Sequence, residues 1–211
     1  MLSKKNLRKN VPLPPGLDLD SVYKALEKTR NLFSKINAKT GVILSQIIQA
    51  NNFSGIVSNV FTKMLDECSS YKKLSDQEYP DLRNPQNGEG LEVKATKNPF
   101  KGGEGHNGHS GWHIIVCYTI LDNGDIDFSQ IEIAKLIGYG KPNQDWEYIP
   151  SKRNSNDSQR TETYTTTIIG TSKLRDGTIY LNPEYCSISK QLKAKRKKLN
   201  LPIPHYSIFA E

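Results

Sequence analysis

Residues 79–95, YPDLRNPQNGEGLEVKA, determine the fold that this sequence predicts. They divide into two short strand-like runs, 79–83 and 91–95, separated by a segment rich in Asn, Pro and Gly. Asn-Pro at 84–85 and Asn-Gly at 87–88 are strong turn signals, because these residues adopt the backbone angles that reverse a chain. The sequence therefore predicts a β-hairpin in which the second run folds back on the first.

Strand alternation gives the second run one apolar face and one charged face. Glu92 and Lys94 point to the same side, with their Cα atoms about 7 Å apart, and the hairpin brings Asp81 beside Glu92. Two carboxylates make a hard oxygen site of the kind Mg²⁺ prefers, and the carbonyl of Val93 can supply a third ligand. Lys94 is expected beside a bound phosphate, where it can orient the attacking water and stabilise developing charge.

Pro80-Asp81 followed by Glu92-Val93-Lys94 resembles the signature of the PD-(D/E)xK nuclease superfamily. Within that superfamily the chain looks most like a type II restriction endonuclease. The resemblance implies a restriction-endonuclease-like core, Mg²⁺ as cofactor, and catalytic roles for Asp81, Glu92 and Lys94. It also implies a homodimer that cuts both strands of double-stranded DNA at a short site, with a companion DNA methyltransferase that protects host DNA.

Members of such families often carry a further acidic ligand on the preceding helix. Asp66, Glu67 and Glu78 are candidates for that position, and Glu89 in the turn is another. The simpler interpretation of Glu92 and Lys94 is a surface salt bridge. A run of Glu104, His106, His109 and His113 offers a competing zinc site, since imidazole is a common zinc ligand; polar loop residues near a DNA backbone are the alternative.

Outward from the hairpin, hydrophobic periodicity predicts a helical first third and a β-rich remainder. Asp18 is expected to cap a first helix, a second covers about 41–50, and Ser54 is expected to cap a third. The predicted later strands are 112–121, 126–128, 131–136, 163–169 and 178–181. Residues 112–121 are apolar on both faces and predict a central strand, after which Asn123-Gly124 can close a two-residue hairpin.

These elements predict an α/β (α+β) fold, a mixed central β-sheet flanked by helices. We expect one domain over 18–211, preceded by a basic, Pro-rich arm over 1–17. Two polar stretches, 97–111 and 141–162, interrupt the pattern, and loops of this length are commonly functional. The three cysteines form no Cys-x-x-Cys pair, which favours reduced thiols in a cytoplasmic protein. The longest apolar run is too short for a membrane span.

The formal net charge of +7 is concentrated at the two ends of the chain. Ten of the 29 Lys and Arg lie within 4–9 and 190–198, which leaves 19 against 22 Asp and Glu elsewhere. Basic ends on a nearly neutral body favour a polyanionic partner through counterion release. Two solvated tails are the alternative.

Residues 151–161 concentrate side chains that read base edges, since Arg and Lys recognise guanine and Asn and Gln recognise adenine. This segment is the predicted major-groove recognition element; a solvated polar loop is the alternative. The candidate DNA contacts within it are Lys152, Arg153, Asn154, Asn156, Ser158, Gln159 and Arg160. Outside it, the predicted phosphate contacts are Lys97, Lys101, Lys173 and Arg175.

Three functions agree with these patterns. The first is a type II restriction endonuclease, and the second is a DNA repair or junction-resolving nuclease of the same fold. The third is a sequence-specific DNA-binding protein without catalysis, in which Glu92 and Lys94 form only a salt bridge.

Overall fold

A mixed six-stranded sheet flanked by helices on both faces forms the centre of the structure. The structure is a computed structural model that describes residues 2–75, 78–105, 107–153 and 159–210, with backbone alone at 159 and 160. The helices are α1 (Leu19–Thr40), α2 (Leu44–Ile47), α3 (Ala50–Cys68), α4 (Ile168–Asp176) and α5 (Lys190–Lys198). The strands are β1 (Lys72–Lys73), β2 (Leu82–Arg83), β3 (Gly90–Thr96), β4 (Glu104–Gly105), β5 (Gly111–Ile120), β6 (Ile126–Leu136), β7 (Trp146–Ile149), β8 (Lys152–Arg153), β9 (Gln159–Arg160), β10 (Thr163–Thr166) and β11 (Thr178–Leu181).

The main sheet has the strand order β1-β2-β3-β5-β6-β11. Only the β3–β5 pair is parallel, and the other neighbours in it are antiparallel. Strand β5 lies between β3 and β6 and is buried over its middle, as its apolar sequence predicts. A second sheet of order β4-β10-β7 and a separate β8–β9 pair complete the β-structure. The predicted α+β class with a mixed central sheet is confirmed.

The two faces of the main sheet have different cover. On one face, side chains such as Val93 and Ile114 pack with Val22, Leu26 and Phe61 of α1 and α3 in the larger core. On the other face, Ile115 and Cys117 pack with residues of β6, β7 and α4 in a smaller core. Because side chains alternate along β3, Glu92 and Lys94 lie on the face of the smaller core.

Helix α1 begins where the sequence predicts, because the Asp18 carboxylate accepts a hydrogen bond of 2.7 Å from the Ser21 amide. The predicted start of the third helix at Ser54 is wrong. Helix α3 begins at Ala50 and continues through Asn51-Asn52, and the Ser54 hydroxyl instead bonds the hydroxyl of Tyr118 at 2.9 Å. Tertiary packing against β5 has outweighed the capping preference.

Three strand predictions need correction. The runs 126–128 and 131–136 form one strand, β6, with a bulge opposite Cys117/Tyr118. The run predicted as 163–169 ends at Thr166, because Thr167 caps helix α4 through Gly170. The β5–β6 connection is not a two-residue turn: Leu121 and Asp125 are hydrogen-bonded, and Gly124 has a φ of 81°, as in a three-residue hairpin loop.

Both basic ends are partly packed on the body. Val11 and Leu17 of the arm belong to the larger core, and Leu7 bridges to Tyr180. At the other end Arg196 is buried and donates to both carboxylate oxygens of Asp176. Within the described residues no helix is long and apolar enough to cross a membrane.

Candidate active site

The hairpin that the sequence predicts positions the candidate site. Leu82 pairs with Leu91 and Arg83 with Gly90 in antiparallel register, so the next positions along the two strands, Asp81 and Glu92, are opposite each other. The turn between them is closed by a hydrogen bond of 2.9 Å from the Asn84 amide to the Glu89 carbonyl. The prediction that Asp81 lies beside Glu92 is confirmed.

Hydrogen bonds connect the three candidate catalytic residues. The Asp81 amide donates to Glu92 Oε2 at 3.3 Å, and the Val93 amide donates to Asp81 Oδ2 at 2.8 Å. Lys94 Nζ donates to Glu92 Oε1 at 2.5 Å. The Glu92 side chain is 12% exposed and that of Lys94 34% exposed. The group is therefore partly dehydrated and still reachable from solvent.

Two carboxylates share this position with one lysine. Burial raises the pKa of Asp81, the adjacent Glu92 raises it further, and the Val93 amide and Lys94 oppose the rise only in part. A cation bound nearby favours the charged form of such a carboxyl. Magnesium is commonly held by one or two carboxylates with waters and substrate phosphates as the other ligands. Asp81 and Glu92 fit such an ion.

The Val93 carbonyl is suitably placed to join this site. The N–H and C=O of one strand residue point to the same side, and the Val93 N–H points to Asp81. The carbonyl accepts a hydrogen bond of 3.1 Å from Ser58 of α3. Because a carbonyl oxygen has two lone pairs, one remains for a further partner.

Three of the four candidates for an additional acidic ligand form ion pairs elsewhere, and the fourth is exposed. Asp66 and Glu67 form ion pairs with lysines of α1, α3 and β1, and Glu89 pairs with Lys135 at 3.2 Å. Glu78 is exposed. Across the described part of the chain, no three or more His, Cys, Asp or Glu side chains cluster around a possible metal position.

Among the residues described, the competing zinc site likewise has no group of three or more possible ligands. His113 is buried, and its Nδ1 lies 3.0 Å from the Gly111 carbonyl. Burial lowers its pKa to about 4. The exposed His109 packs its ring 4.2 Å from that of Tyr79, Glu104 pairs with Lys101, and His106 lies outside the described residues.

A cleft of about 620 Å³ opens beside Lys94. Its walls come from the start of α3, the segment 94–105 and strand β10, and Lys94 connects it to the carboxylate pair. The polar side chains that line it are Lys94, Thr96, Lys97, Asn98, Lys101, Glu104, Asn51, Ser54, Thr161, Thr163 and Thr165. The predicted phosphate contacts Lys97 and Lys101 thus share one cleft with a candidate catalytic residue.

Sequence reasoning did not identify the other polar residues of this site. Ser54 and Ser58 recur four residues apart on α3, beside its apolar stripe, which is the spacing of one helix face. Thr161, Thr163 and Thr165 alternate by two, as residues on one face of a strand do. The regular spacing of these small polar side chains was the sequence feature that could have identified them as site residues.

Two predicted phosphate contacts, Lys173 and Arg175, have partners within the chain. Lys173 Nζ lies 2.7 Å from Oδ2 of the buried Asp145. Arg175 is half-buried, and its Nε donates to the Phe100 carbonyl at 2.6 Å, while the Phe100 amide donates to Gln130 at 2.9 Å. Phe100 has a φ of 62°. Arg175 and Gln130 thus hold the cleft-lining segment by its backbone.

Arg175→Met is expected to destabilise the protein by about 1–3 kcal/mol, because it leaves the Phe100 carbonyl without its charged donor. Urea unfolding measures this loss. Lys141→Met removes an exposed positive charge and is expected to leave the unfolding free energy within about 0.5 kcal/mol of the parent. Unchanged stability of Arg175→Met together with weaker DNA binding would instead support Arg175 as a phosphate contact.

The predicted recognition segment is only partly described. Lys152 and Arg153 form β8 and are exposed, and Gln159 and Arg160 form the backbone of β9. Asn154, Asn156 and Ser158 lie outside the described residues. No protein-family model matches this chain, and no curated protein is similar to it in sequence.

Proposed function

We propose that the protein is a Mg²⁺-dependent endonuclease of double-stranded DNA with a restriction-endonuclease-like core, acting as a type II restriction enzyme. The observation that carries this proposal is the pairing of Asp81 with Glu92, next to Lys94, at the end of a lysine-lined cleft. A salt bridge alone explains Glu92 and Lys94. A salt bridge does not explain why the partly buried carboxyl of Asp81, whose pKa is raised, lies against this pair.

In this proposal Asp81, Glu92 and the Val93 carbonyl hold the magnesium ion. When bound, the ion supplies charge neutralisation at the scissile phosphate and acidifies a bound water. Lys94, which can exchange its bond to Glu92 for one to a phosphate oxygen, positions that phosphate and stabilises charge on it. Water adds to phosphorus and the bond to the 3′ oxygen breaks, leaving a 5′-phosphate and a 3′-hydroxyl.

The cleft supports DNA as the substrate. Lys97 and Lys101 stand on the same wall as Lys94, and successive lysines along a groove contact phosphates without reading sequence. Cutting both strands of a two-fold site with one centre per chain calls for a homodimer. A companion methyltransferase then protects host DNA. A junction-resolving enzyme of the same fold differs by leaving linear duplex intact.

Incubation with phage DNA and Mg²⁺ is expected to give discrete fragments, and EDTA is expected to abolish them. Lys94→Ala is expected to lower the cleavage rate by at least about 10²-fold and to leave duplex binding detectable by gel shift. The exposed Lys141→Ala serves as the charge-matched control and is expected to cut like the parent. Undiminished Mg²⁺-dependent cleavage by Lys94→Ala would refute the catalytic assignment. DNA binding by the parent without cleavage would favour the non-catalytic alternative.

A further inference from the structure

Strand β3 extends beyond its neighbour β2 at one edge of the main sheet. Strand β2 pairs with Gly90 and Leu91, whereas β3 continues to Thr96. The N–H and C=O of one strand residue point to the same side, and the Val93 N–H points to Asp81. Both backbone groups of Val93 therefore face the edge that lies beyond the end of β2. A backbone polar group without a partner is costly in a protein interior, so side chains take the place of a strand there.

Two side chains satisfy the backbone of Val93. Asp81 Oδ2 accepts a hydrogen bond of 2.8 Å from its amide, and Ser58 Oγ donates one of 3.1 Å to its carbonyl. The Val93 side chain is buried in the larger core. Val93 is thus fixed at its amide, at its carbonyl and at its side chain, and the contact at the carbonyl comes from helix α3.

The hydroxyl of Ser58 differs in its partner from other hydroxyls on the helices. A serine or threonine of a helix often donates to the carbonyl four residues earlier. Thr29 and Thr40 of α1 do so at 2.7 Å, and Ser69 at the end of α3 does so at 2.7 Å. Ser58 instead donates across to the sheet, at the residue that lies between Glu92 and Lys94.

This hydrogen bond restricts the direction of a proposed metal ligand. The Val93 carbonyl is on the same edge as Asp81, whose amide donates to Glu92 Oε2 at 3.3 Å. Ser58 occupies one lone pair of the carbonyl oxygen and leaves the other for an ion. Groups that hydrogen-bond a ligand rather than the metal orient that ligand, and their removal weakens metal binding.

The Ser58 hydroxyl is also uncharged, which suits a position next to two carboxylates. Burial and Glu92 already raise the pKa of Asp81, since a like charge nearby opposes ionisation. A third carboxylate at position 58 would add to this repulsion whenever no ion is bound. A serine holds the carbonyl without adding charge.

We propose that Ser58 is a positioning residue of the magnesium site, whose hydroxyl directs the Val93 carbonyl toward an ion held by Asp81 and Glu92. The proposal rests on the proposed function for that ion. It gives Ser58 no contact with the ion or with DNA. A hydroxyl that only satisfied the sheet edge would stabilise the fold without changing the affinity for metal.

The test uses Mn²⁺ alone, without DNA, because Mn²⁺ takes the same oxygen ligands as Mg²⁺. Electron paramagnetic resonance of the free ion gives its dissociation constant from each folded protein, well below the melting temperature. Binding that Asp81→Asn abolishes is assigned to this site. There Ser58→Ala is expected to raise the dissociation constant by about 10-fold or more. Ser58→Thr keeps the hydroxyl and is expected to bind Mn²⁺ like the parent.

A matched control removes a similar hydrogen bond from the far end of α3. Ser69 is half-buried, as Ser58 is, and lies about 16 Å further along the helix. Ser69→Ala removes its bond to the Leu65 carbonyl and is expected to leave the dissociation constant of Mn²⁺ unchanged. If Ser58→Ala does not fold, Ser58→Cys replaces it, because a thiol is a weak donor in a side chain of similar shape.

An unchanged dissociation constant in folded Ser58→Ala overturns the proposal and leaves the nuclease standing. A loss in Ser58→Thr as large as in Ser58→Ala also overturns it, because packing and not the hydroxyl would then be responsible. A parent that binds no Mn²⁺ overturns the positioning role, and cleavage of phage DNA decides the nuclease separately. Mn²⁺ binding that depends on Ser58 in a parent that never cuts DNA supports the positioning role and refutes the nuclease.

Discussion

Asp81→Asn is expected to produce a protein that is more stable in EDTA and that cuts DNA about 10³-fold more slowly with Mg²⁺. The pKa of Asp81 is raised by burial and by Glu92. A carboxyl with a raised pKa in the folded state costs stability at any pH above its ordinary range, where the unfolded chain ionises it freely. Asparagine carries no charge, and its oxygen can still accept the bond from the Val93 amide.

Thermal unfolding with and without Mg²⁺ measures both effects. In EDTA the melting temperature of Asp81→Asn is expected above that of the parent, by about 2–4 °C for each 1 kcal/mol recovered. Mg²⁺ at about 100 times its dissociation constant should stabilise the parent by about 2.7 kcal/mol and Asp81→Asn much less. The exposed Asp122→Asn is the matched control and should respond to Mg²⁺ like the parent. An Asp81→Asn protein that Mg²⁺ stabilises as much as the parent would contradict the metal assignment.

The candidate site was predictable to the extent that it depends on one local hairpin. The alternation of side chains along a strand places Glu92 and Lys94 on one side, independently of the rest of the fold. The turn at 84–89 fixes the strand register that brings Asp81 to Glu92. Ser58 was not predictable in the same way. Its bond to the Val93 carbonyl depends on how α3 packs on the sheet, and such packing is a property of the whole core.

Other features of the structure were not predictable from the sequence for similar physical reasons. Arg175 has the same side chain as an arginine that contacts phosphate, and only its half-buried position beside Phe100 distinguishes the two roles. The stretch 141–162 is predicted as a polar loop although strands β7 and β8 lie within it. Their mostly exposed residues lack the apolar alternation that identifies strands.

Two buried titratable groups on the sheet give the last prediction. Burial lowers the pKa of His113 to about 4 from an ordinary 6.5. Burial raises that of Glu132 to about 7 from 4.5, a rise that Arg175 and Gln130 only partly offset, and Glu132 Oε2 has no hydrogen-bond partner among the described residues. The two groups shift in opposite directions over nearly the same pH range.

Their contributions to the unfolding free energy therefore oppose each other. Between pH 4 and 6.5 the unfolded chain holds a proton on His113 that the folded protein lacks, so stability rises with pH. Between pH 4.5 and 7 the folded protein holds a proton on Glu132 that the unfolded chain releases, so stability falls with pH. Each slope is at most about 1.4 kcal/mol per pH unit, and in the parent they largely cancel between pH 4.5 and 6.5.

Single substitutions should expose each slope. Relative to the parent, Glu132→Gln is expected to gain stability with rising pH over 4.5–6.5, by about 1 kcal/mol per unit, because only the His113 contribution remains. His113→Asn, whose amide can replace Nδ1 as the donor to the Gly111 carbonyl, is expected to lose stability over the same range. Urea unfolding at four pH values gives the slope of the unfolding free energy against pH. The slope of the double variant should return to that of the parent. Parallel curves for all four proteins would mean that neither group has a shifted pKa in the fold. Since His113 is the register neighbour of Glu92, a confirmed low pKa would also establish that the group beside the carboxylate pair is neutral at the pH of the cleavage assay.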